Sequence, residues 1–389
     1  MFKKTTTKTT SNTSPNRSGA AGTDSRSTSS TLRRGLAGLT LGVLVVGACG
    51  GSDSTSTQSP ASDTAASTAG AEADACESAE GSITVYSGRN ETLVGDLYTQ
   101  FTAATGVTIE ARYGDSGELA GQILTEAGSS PADVFFSQDA GALGAIAQAG
   151  LLVSLDDAVL ARVPSEFSSP DGVWLGTSGR VRVVVYNPEL VTTPPSTIDE
   201  VLDPTWKGRI GFAPTNASWQ SFVTALRVLR GEDGARQWLE AFAENDPVPY
   251  EKNSAVRDAV DAGEVALGLV NHYYLYEKIA AEGAENVVAK NQYMSPGDPG
   301  GLVNVAGAGI LTSSDNVDGA RCFVSYLVSD EAQTYFSTRS FEYPLVADIA
   351  ATEGLPDFDS LDPPSIDLSD LSSIAETQEL LADVGLLTL

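Results

Sequence analysis

The sequence predicts an α/β protein of two lobes, each an open sheet with helices laid against it. Three observations carry that expectation. The chain has 389 residues, enough for two units that each bury a core. From Ser82 onward short β-branched runs alternate with segments whose apolar residues recur at helical spacing. The same cadence starts again near Arg209 and, beyond about residue 300, returns to the rhythm of the first region. No internal repeat at a fixed period is visible, which argues against a solenoid.

Taken in order, the first eighty residues stand apart from the folded region. Lys3, Lys4, Lys8, Arg33 and Arg34 precede the apolar run "GLAGLTLGVLVVGA", too short and glycine-rich for a membrane span and suited to an export signal. The run ends in "VGAC", where Gly47 and Ala48 before Cys49 resemble a bacterial lipobox. That resemblance implies a lipoprotein signal peptide over 1–49 and a diacylated Cys49 holding the protein on the extracytoplasmic face of the cell membrane. An ordinary secretory signal with an incidental cysteine is the alternative. Residues 50–80 are Ser, Thr, Ala and Asp with almost nothing to bury, which reads as a disordered tether. With Cys49 lipidated, Cys76 and Cys322 remain. They either pair in an oxidising compartment, or Cys322 in "GARCFVSYLV" is simply a small buried helix residue.

Within the folded region "SITVYSG" is a strand, "NETLVGDLYTQFTAATG" a helix stopped by Gly106, and "VTIEARYG" a strand, together a βαβ unit. "GELAGQILTEAG" and "DAGALGAIAQAGLL" read as helices around the strand "ADVFFSQ", and "RVRVVVYN" is a further strand. In the second region "GRIGFAPTNASWQSFVTALRVLRG" is a strand, a polar turn and a helix, and "GEVALGLVNHYYLYEKIAAEG" is a strand feeding a helix. "AGAGILTSS" and "VDGARCFVSYLVSDEAQTYFS" resume the first rhythm. The expected division is a first lobe of 81–182 and 300–352 and a second lobe of 183–299 and 353–389. Ligands on open α/β sheets sit beyond the carboxyl ends of the strands, so "VYSGRN" and "VFFSQD", strand ends running into polar loops, are candidate site segments.

The charge and the residue inventory narrow the function. A net charge of -28, with 23 Lys and Arg against 51 Asp and Glu, argues against nucleic acid or an anionic lipid surface as a partner. One histidine, His272, and no Cys-x-x-Cys or His-x-x-x-His spacing leave little for a zinc site or a histidine-based triad. The glycine clusters "GAGI" and "GDPGG" do not match a phosphate-cradling loop. The expectation is a binding protein and not an enzyme. Tyr273 and Tyr274 in "LVNHYYLYEK" stand out for binding, because phenolate is a hard oxygen donor suited to a trivalent cation. Both rings can reach one ion where a strand end turns into a helix. The other reading has Tyr273, Tyr274 and Tyr276 packing on the sheet as part of an amphipathic helix.

Across roughly 82–350, the segments "ITVYSGRNE", "GELAGQI", "PADVFFSQDAG", "AGLL", "SGRVRVVVYNPE", "WKGRIGFAPT", "EKNSAVRDAVDAGEVALGLVNHYYLYEK", "DPGGLVNVAGAGIL" and "FEYPL" occur in an order and spacing that resembles the ferric-iron substrate-binding proteins of ABC transporters. The resemblance implies a type 2 periplasmic-binding-protein-like fold and a monomer whose two lobes close on Fe3+. It also implies a synergistic anion such as carbonate or phosphate, and an ABC permease as partner. Tyr273 and Tyr274 match the family's tyrosine ligands. Where many relatives have a histidine this chain has Asn90, and where they have a glutamate it has Gln138, followed by Asp139; Asn90, Gln138 and Asp139 are the candidate first-lobe ligands, and whether Asp139 replaces the missing carboxylate stays open. The anion pocket maps to Asn216, Ala217, Ser218, Asn253 and Asn271. Arg89 and Arg180 are further candidates for holding the anion, with an ordinary ion pair as the alternative for each. The missing histidine and glutamate keep open the same fold with another ligand, such as a phosphonate, thiamine or a polyamine. A secreted hydrolase is the reading from another class.

Overall fold

The computed structural model describes residues 76–387. The first lobe is a mixed sheet. Strands β1 (Ser82–Ser87), β2 (Thr108–Tyr113) and β3 (Val134–Ser137) run parallel with β1 in the middle, and β3 pairs with antiparallel β9 (Val303–Ile310). β9 in turn pairs with the first half of the long strand β4 (Leu175–Tyr186), against which the two-residue β10 (Tyr343–Pro344) also lies. Helix α1 (Glu91–Thr105) starts where Asn90 accepts the Thr92 N–H and ends where Gly106 turns left-handed at φ 80°. Its Phe101 packs on Phe323 of α7 (Val317–Leu327), ring centroids 5.1 Å apart. Helices α2 (Ser116–Glu126), α3 (Ala140–Gln148) and α8 (Asp330–Arg339) complete this lobe.

The second lobe is built on the other half of β4. Arg182–Tyr186 pairs with β7 (Leu267–Asn271) and in part with β8 (Lys290–Gln292), and β7 continues in parallel to β5 (Ile210–Phe212) and β6 (Val248–Pro249). Helices α4 (Ala217–Glu244), α5 (Asn253–Asp261) and α6 (Tyr273–Glu282) cover it. Its core is aromatic: Phe212, Trp219, Phe222, Trp238 and Phe242 are all buried, Trp238 stacked on Phe242 at 5.2 Å. The chain therefore crosses between the sheets inside β4, from Val181 to Arg182, and returns at Leu302 to Val303, where the Arg182 N–H donates to the Leu302 carbonyl.

His272 pins that crossing. It is fully buried, its Nδ1 accepts the Val181 N–H at 3.2 Å, and its Nε2 donates to the Phe341 carbonyl at 2.9 Å. Burial pushes its pKa down to about 4, so the ring is neutral and each nitrogen keeps its role. Phe341 sits at φ 56°, a left-handed turn that a bulky residue keeps only where its neighbours hold it.

Two expectations change. Residues 353–389 do not all belong with the second lobe. Leu355, Phe358, Leu368 and Leu371 pack into the first core, and the end of the chain, from Leu380 and Leu381 of α9 (Ile374–Asp383) through Val384, Leu386 and Leu387, packs into the second. The tether does not run to Glu80 either: Cys76 is disulfide-bonded to Cys322 and Ala79 is buried, so 76–80 is fastened to the first lobe. The signal segment and Cys49 lie outside the described residues.

Candidate functional site

The carboxyl ends of strands from both sheets face one cleft of about 790 Å³. β1 delivers Gly88, Arg89 and Asn90, β2 delivers Gly114 to Ser116, and β3 delivers Gln138. β4 brings Arg180 just before the crossing. From the second lobe come Thr215 to Ser218 after β5, Glu251 to Ser254 after β6, and Tyr273, Tyr274 and Glu277 after β7. The first wall is closely packed, since a Cβ at Gly88 would overlap the Ser116 hydroxyl.

Tyr273 and Tyr274 occupy the turn the sequence reading required. β7 ends at Asn271, His272 is already helical, and α6 begins at Tyr273. The two rings therefore leave the same first turn side by side, centroids 4.2 Å apart and planes inclined by 30°. Tyr273 is buried and Tyr274 is open to the cleft. Burial, and for Tyr273 the neighbouring Tyr274, raises both phenols above the usual range. Both are thus protonated when the cleft holds no cation, and a metal taken up here must displace those protons. Among the described residues no group of three His, Cys, Asp or Glu is placed to hold a metal ion.

The first-lobe candidates separate by what already occupies their atoms. Asn90 reaches the cleft rim, but its Oδ1 caps α1 through Thr92 N–H and Oγ1, each at 3.0 Å. Gln138 lines the cleft with its backbone N–H donated to Ser116 Oγ at 2.9 Å, a bond that leaves its side-chain oxygen uncommitted. Asp139 is buried, caps α3 by accepting the Ala142 N–H at 3.2 Å, and lines not the cleft but a neighbouring cavity among α2, α3, α4 and the C-terminal tail. Burial raises its carboxyl.

Arg89 and Arg180 also part company. Arg89 is committed: its Nη1 and Nη2 donate to Glu342 at 2.9 and 2.6 Å in a buried bidentate pair. Glu342 further accepts from Ser178 and Ser340 at 3.1 and 2.8 Å. Arg180 lies 3.7 Å from the same carboxylate, and its Nε and Nη2 are buried with no hydrogen-bond partner. A buried guanidinium with free N–H groups, facing a cleft, suits an anion. Glu342 was not among the candidates; its role depends on Arg89, 253 positions away in the chain, which no local pattern signals.

The polar turn of the second lobe is closed on itself. Asn216 Oδ1 caps α4 by accepting from Ser218 N–H and Oγ at 3.0 and 2.6 Å and from Asn253 Nδ2 at 3.0 Å. Asn253 also donates to Ser218 Oγ at 3.0 Å and lies within hydrogen-bond reach of Tyr274. Ala217 lines the cleft beside them at the first position of α4. Beneath this turn Arg182 holds the Ser218 carbonyl at 3.0 Å, its guanidinium over Phe222 and its pKa brought down to about 9 by burial. Asn271 is buried opposite Arg182 in the sheet and is not one of the residues lining the cleft.

A cleft between two crossed α/β lobes, lined by strand ends, defines a solute-binding protein. Residues 86–334 match the family model of bacterial extracellular solute-binding proteins, and the chain belongs to that family, one of solute binding and not of catalysis. Within it the chain falls among the ferric-iron-binding periplasmic proteins. It is 34% identical over 313 residues to the Fe(3+)-binding periplasmic protein of Serratia marcescens, covering 80% of this chain and 92% of that one. It is 34% identical over 308 residues to the major ferric iron-binding protein of Neisseria meningitidis, covering 78% and 93%. The fold matches iron-bound HitA of Pseudomonas aeruginosa with a TM-score of 0.74 at 34% identity, over 78% of this chain and 99% of that one. It also matches the Trichodesmium protein in complex with iron and citrate, TM-score 0.69 at 32% identity, over 79% and 100%.

Proposed function

We propose that this protein captures Fe3+ between its lobes through the phenolates of Tyr273 and Tyr274, together with a small anion, and hands it to an ABC import permease. The observation that carries the reading is the pair of adjacent tyrosines, side by side on the first turn of α6 and lining the cleft opposite Arg180. Hard trivalent cations select anionic oxygen, and two phenolates bring two negative charges. The proteins this chain resembles bind ferric iron, and one of their structures holds citrate beside it. The anion, carbonate, phosphate or a carboxylate, is assigned first to Arg180, whose free N–H groups need a partner. The Asn216, Ser218 and Asn253 ring is a second contact, available to an anion only as its internal bonds open. Cys49 carries the lipid anchor of this arrangement, which keeps the loaded protein beside its permease.

Because both phenols are raised, loading releases a proton from each, and affinity rises with pH by roughly tenfold per unit for each proton released. Titration with Fe3+ is expected to develop a tyrosinate-to-iron charge-transfer band in the visible. Tyr273→Phe and Tyr274→Phe each remove most of it. A double phenylalanine variant that keeps both the band and the affinity would show that the site is elsewhere. Arg180→Gln is expected to mimic the weakening caused by removing carbonate and phosphate from the buffer.

A further inference from the structure

One acidic side chain in the cleft has no visible means of support. Glu277 lies on α6 three positions after Tyr274 and four after Tyr273, the spacing that places helix residues on one face, and it lines the cleft with both tyrosines. Its side chain is only 28% exposed. Among the described residues none donates a hydrogen bond to its carboxylate, and its one ion pair is a long 3.9 Å approach to Arg257 Nη1. That Nη1 is already spent on the Tyr274 carbonyl at 2.7 Å, while Nε and Nη2 of the same arginine hold Asp258 at 3.0 and 2.9 Å. Glu342 shows what a stably buried carboxylate looks like in this protein, with four donated hydrogen bonds. A carboxylate left in a cleft without donors is costly unless something else neutralises it.

We infer that Glu277 supplies a third anionic oxygen to the cation held by Tyr273 and Tyr274, so that a single helix turn and the next provide all of the protein's own charged ligands. The inference rests on the ferric reading of the cleft. Two phenolates and one carboxylate balance the three charges of Fe3+, which leaves Arg180 and the small anion to balance each other. It also fits a first wall where Asn90 and Gln138 are neutral, Asp139 is spent on capping α3, and the acidic lining residues are the exposed Glu91 and the helix-capping Asp115. The electrostatics agree: burial raises both tyrosines and Glu277 adds a small push in the same direction, while burial, opposed by Arg257 and assisted by Glu342, pushes its own carboxyl up to about 7. A cation in the cleft relieves all three groups at once.

The test is titration of the wild-type protein, Glu277→Gln and Glu277→Asp with ferric citrate at fixed citrate, following the visible band, alongside thermal unfolding of the iron-free forms. The expected result is a loss of about 10–100-fold in affinity for the glutamine variant, with the band kept but moved to lower energy, since a neutral donor leaves the iron more electron-poor. Aspartate falls between. The iron-free glutamine variant melts no lower than wild type, because an unsupported charge has been removed; a residue that merely braces the fold would lower it. Glu277→Gln with wild-type affinity and an unmoved band would overturn the inference while leaving the tyrosine site standing. A wild-type protein that shows no band at all would overturn the ferric reading and this role with it.

Discussion

Replacing Glu342 with glutamine preserves shape and removes the one negative charge that holds two guanidinium groups inside the first lobe. Arg89 and Arg180 are both buried, and Glu342 accepts four hydrogen bonds at 2.6 to 3.1 Å, two of them from Arg89. Breaking a buried pair by removing one partner costs about 3–5 kcal/mol, since the remaining charge is left uncompensated. At about 2–4 °C per kcal/mol for a protein of this size, the melting temperature of Glu342→Gln should fall by roughly 6–20 °C. The pH dependence has a definite sign. Burial alone would raise the Glu342 carboxyl, but Arg89, with help from Arg180 and Ser340, brings it below the usual value. A carboxyl lowered by folding stabilises the protein above its unfolded pKa of about 4.3 and loses that contribution as the pH falls through its folded value. Thermal unfolding followed from pH 7 down to pH 3 should therefore show a gap between wild type and variant that is widest at pH 7 and shrinks below about pH 4. Glu342 also raises Tyr273, so the variant should form its iron band at lower pH than wild type. Equal melting temperatures at pH 7, or a gap that stays constant on acidification, would refute the account of this cluster.

Cys49→Ala should release the protein into the medium, because acyl burial supplies about 0.8 kcal/mol per methylene and the acidic globule has no other affinity for the membrane; an alanine variant still in the detergent phase of a partition assay would refute the anchor. Asp139→Ala should lower stability by about 1 kcal/mol through its lost helix cap and leave iron titration unchanged, while Gln138→Glu should tighten iron binding by adding a charged oxygen to the first wall. A large loss of iron affinity at Asp139, with no gain at Gln138, would instead make Asp139 the first-lobe ligand. Removing the disulfide by Cys76→Ala with Cys322→Ala should cost up to about 5 kcal/mol in urea unfolding, since the bond closes a span of 246 residues, and an unmoved midpoint would refute that.

Much of the architecture is legible in the sequence because its signals are local. The βαβ unit from Ser82 to Tyr113 follows from β-branched runs, an Asn cap and a Gly stop, each acting within a few residues. The turn that brings Tyr273 and Tyr274 together is likewise readable, as a strand of "LGLVN" running into a helix. Glu277 is readable by spacing, but nothing in "YYLYEK" says that its carboxylate lacks a donor; that depends on Arg257 being spent elsewhere. The tail from 353 defeats local reading because its apolar residues are sparse and aperiodic, and each fills a gap in whichever core is nearest. Arg89 and Arg180 are indistinguishable as sequence. Only the position of Glu342, bidentate to one and 3.7 Å from the other, makes the first a strut and the second a free donor.

That difference bears on how the two walls of the cleft act together. On the ferric reading the second lobe presents the phenols and Glu277, groups that become anionic as a cation arrives, whereas the first presents Arg180 beside Asn90 and Gln138, its acidic lining residues being the exposed Glu91 and Asp115, the latter capping α2. Bringing the walls together on Fe3+ alone would set a guanidinium with free N–H groups against a trivalent cation in a cleft where water screens poorly. An anion between them reverses the sign of both contacts, accepting hydrogen bonds from Arg180 while it ligates the metal. On the ferric reading, then, the anion acts as the bridge by which the first lobe senses that the second is loaded. On that reading Glu342 keeps the bridge selective: it takes both terminal nitrogens of Arg89 and stands 3.7 Å from Arg180, leaving the Arg180 guanidinium to be balanced from the cleft.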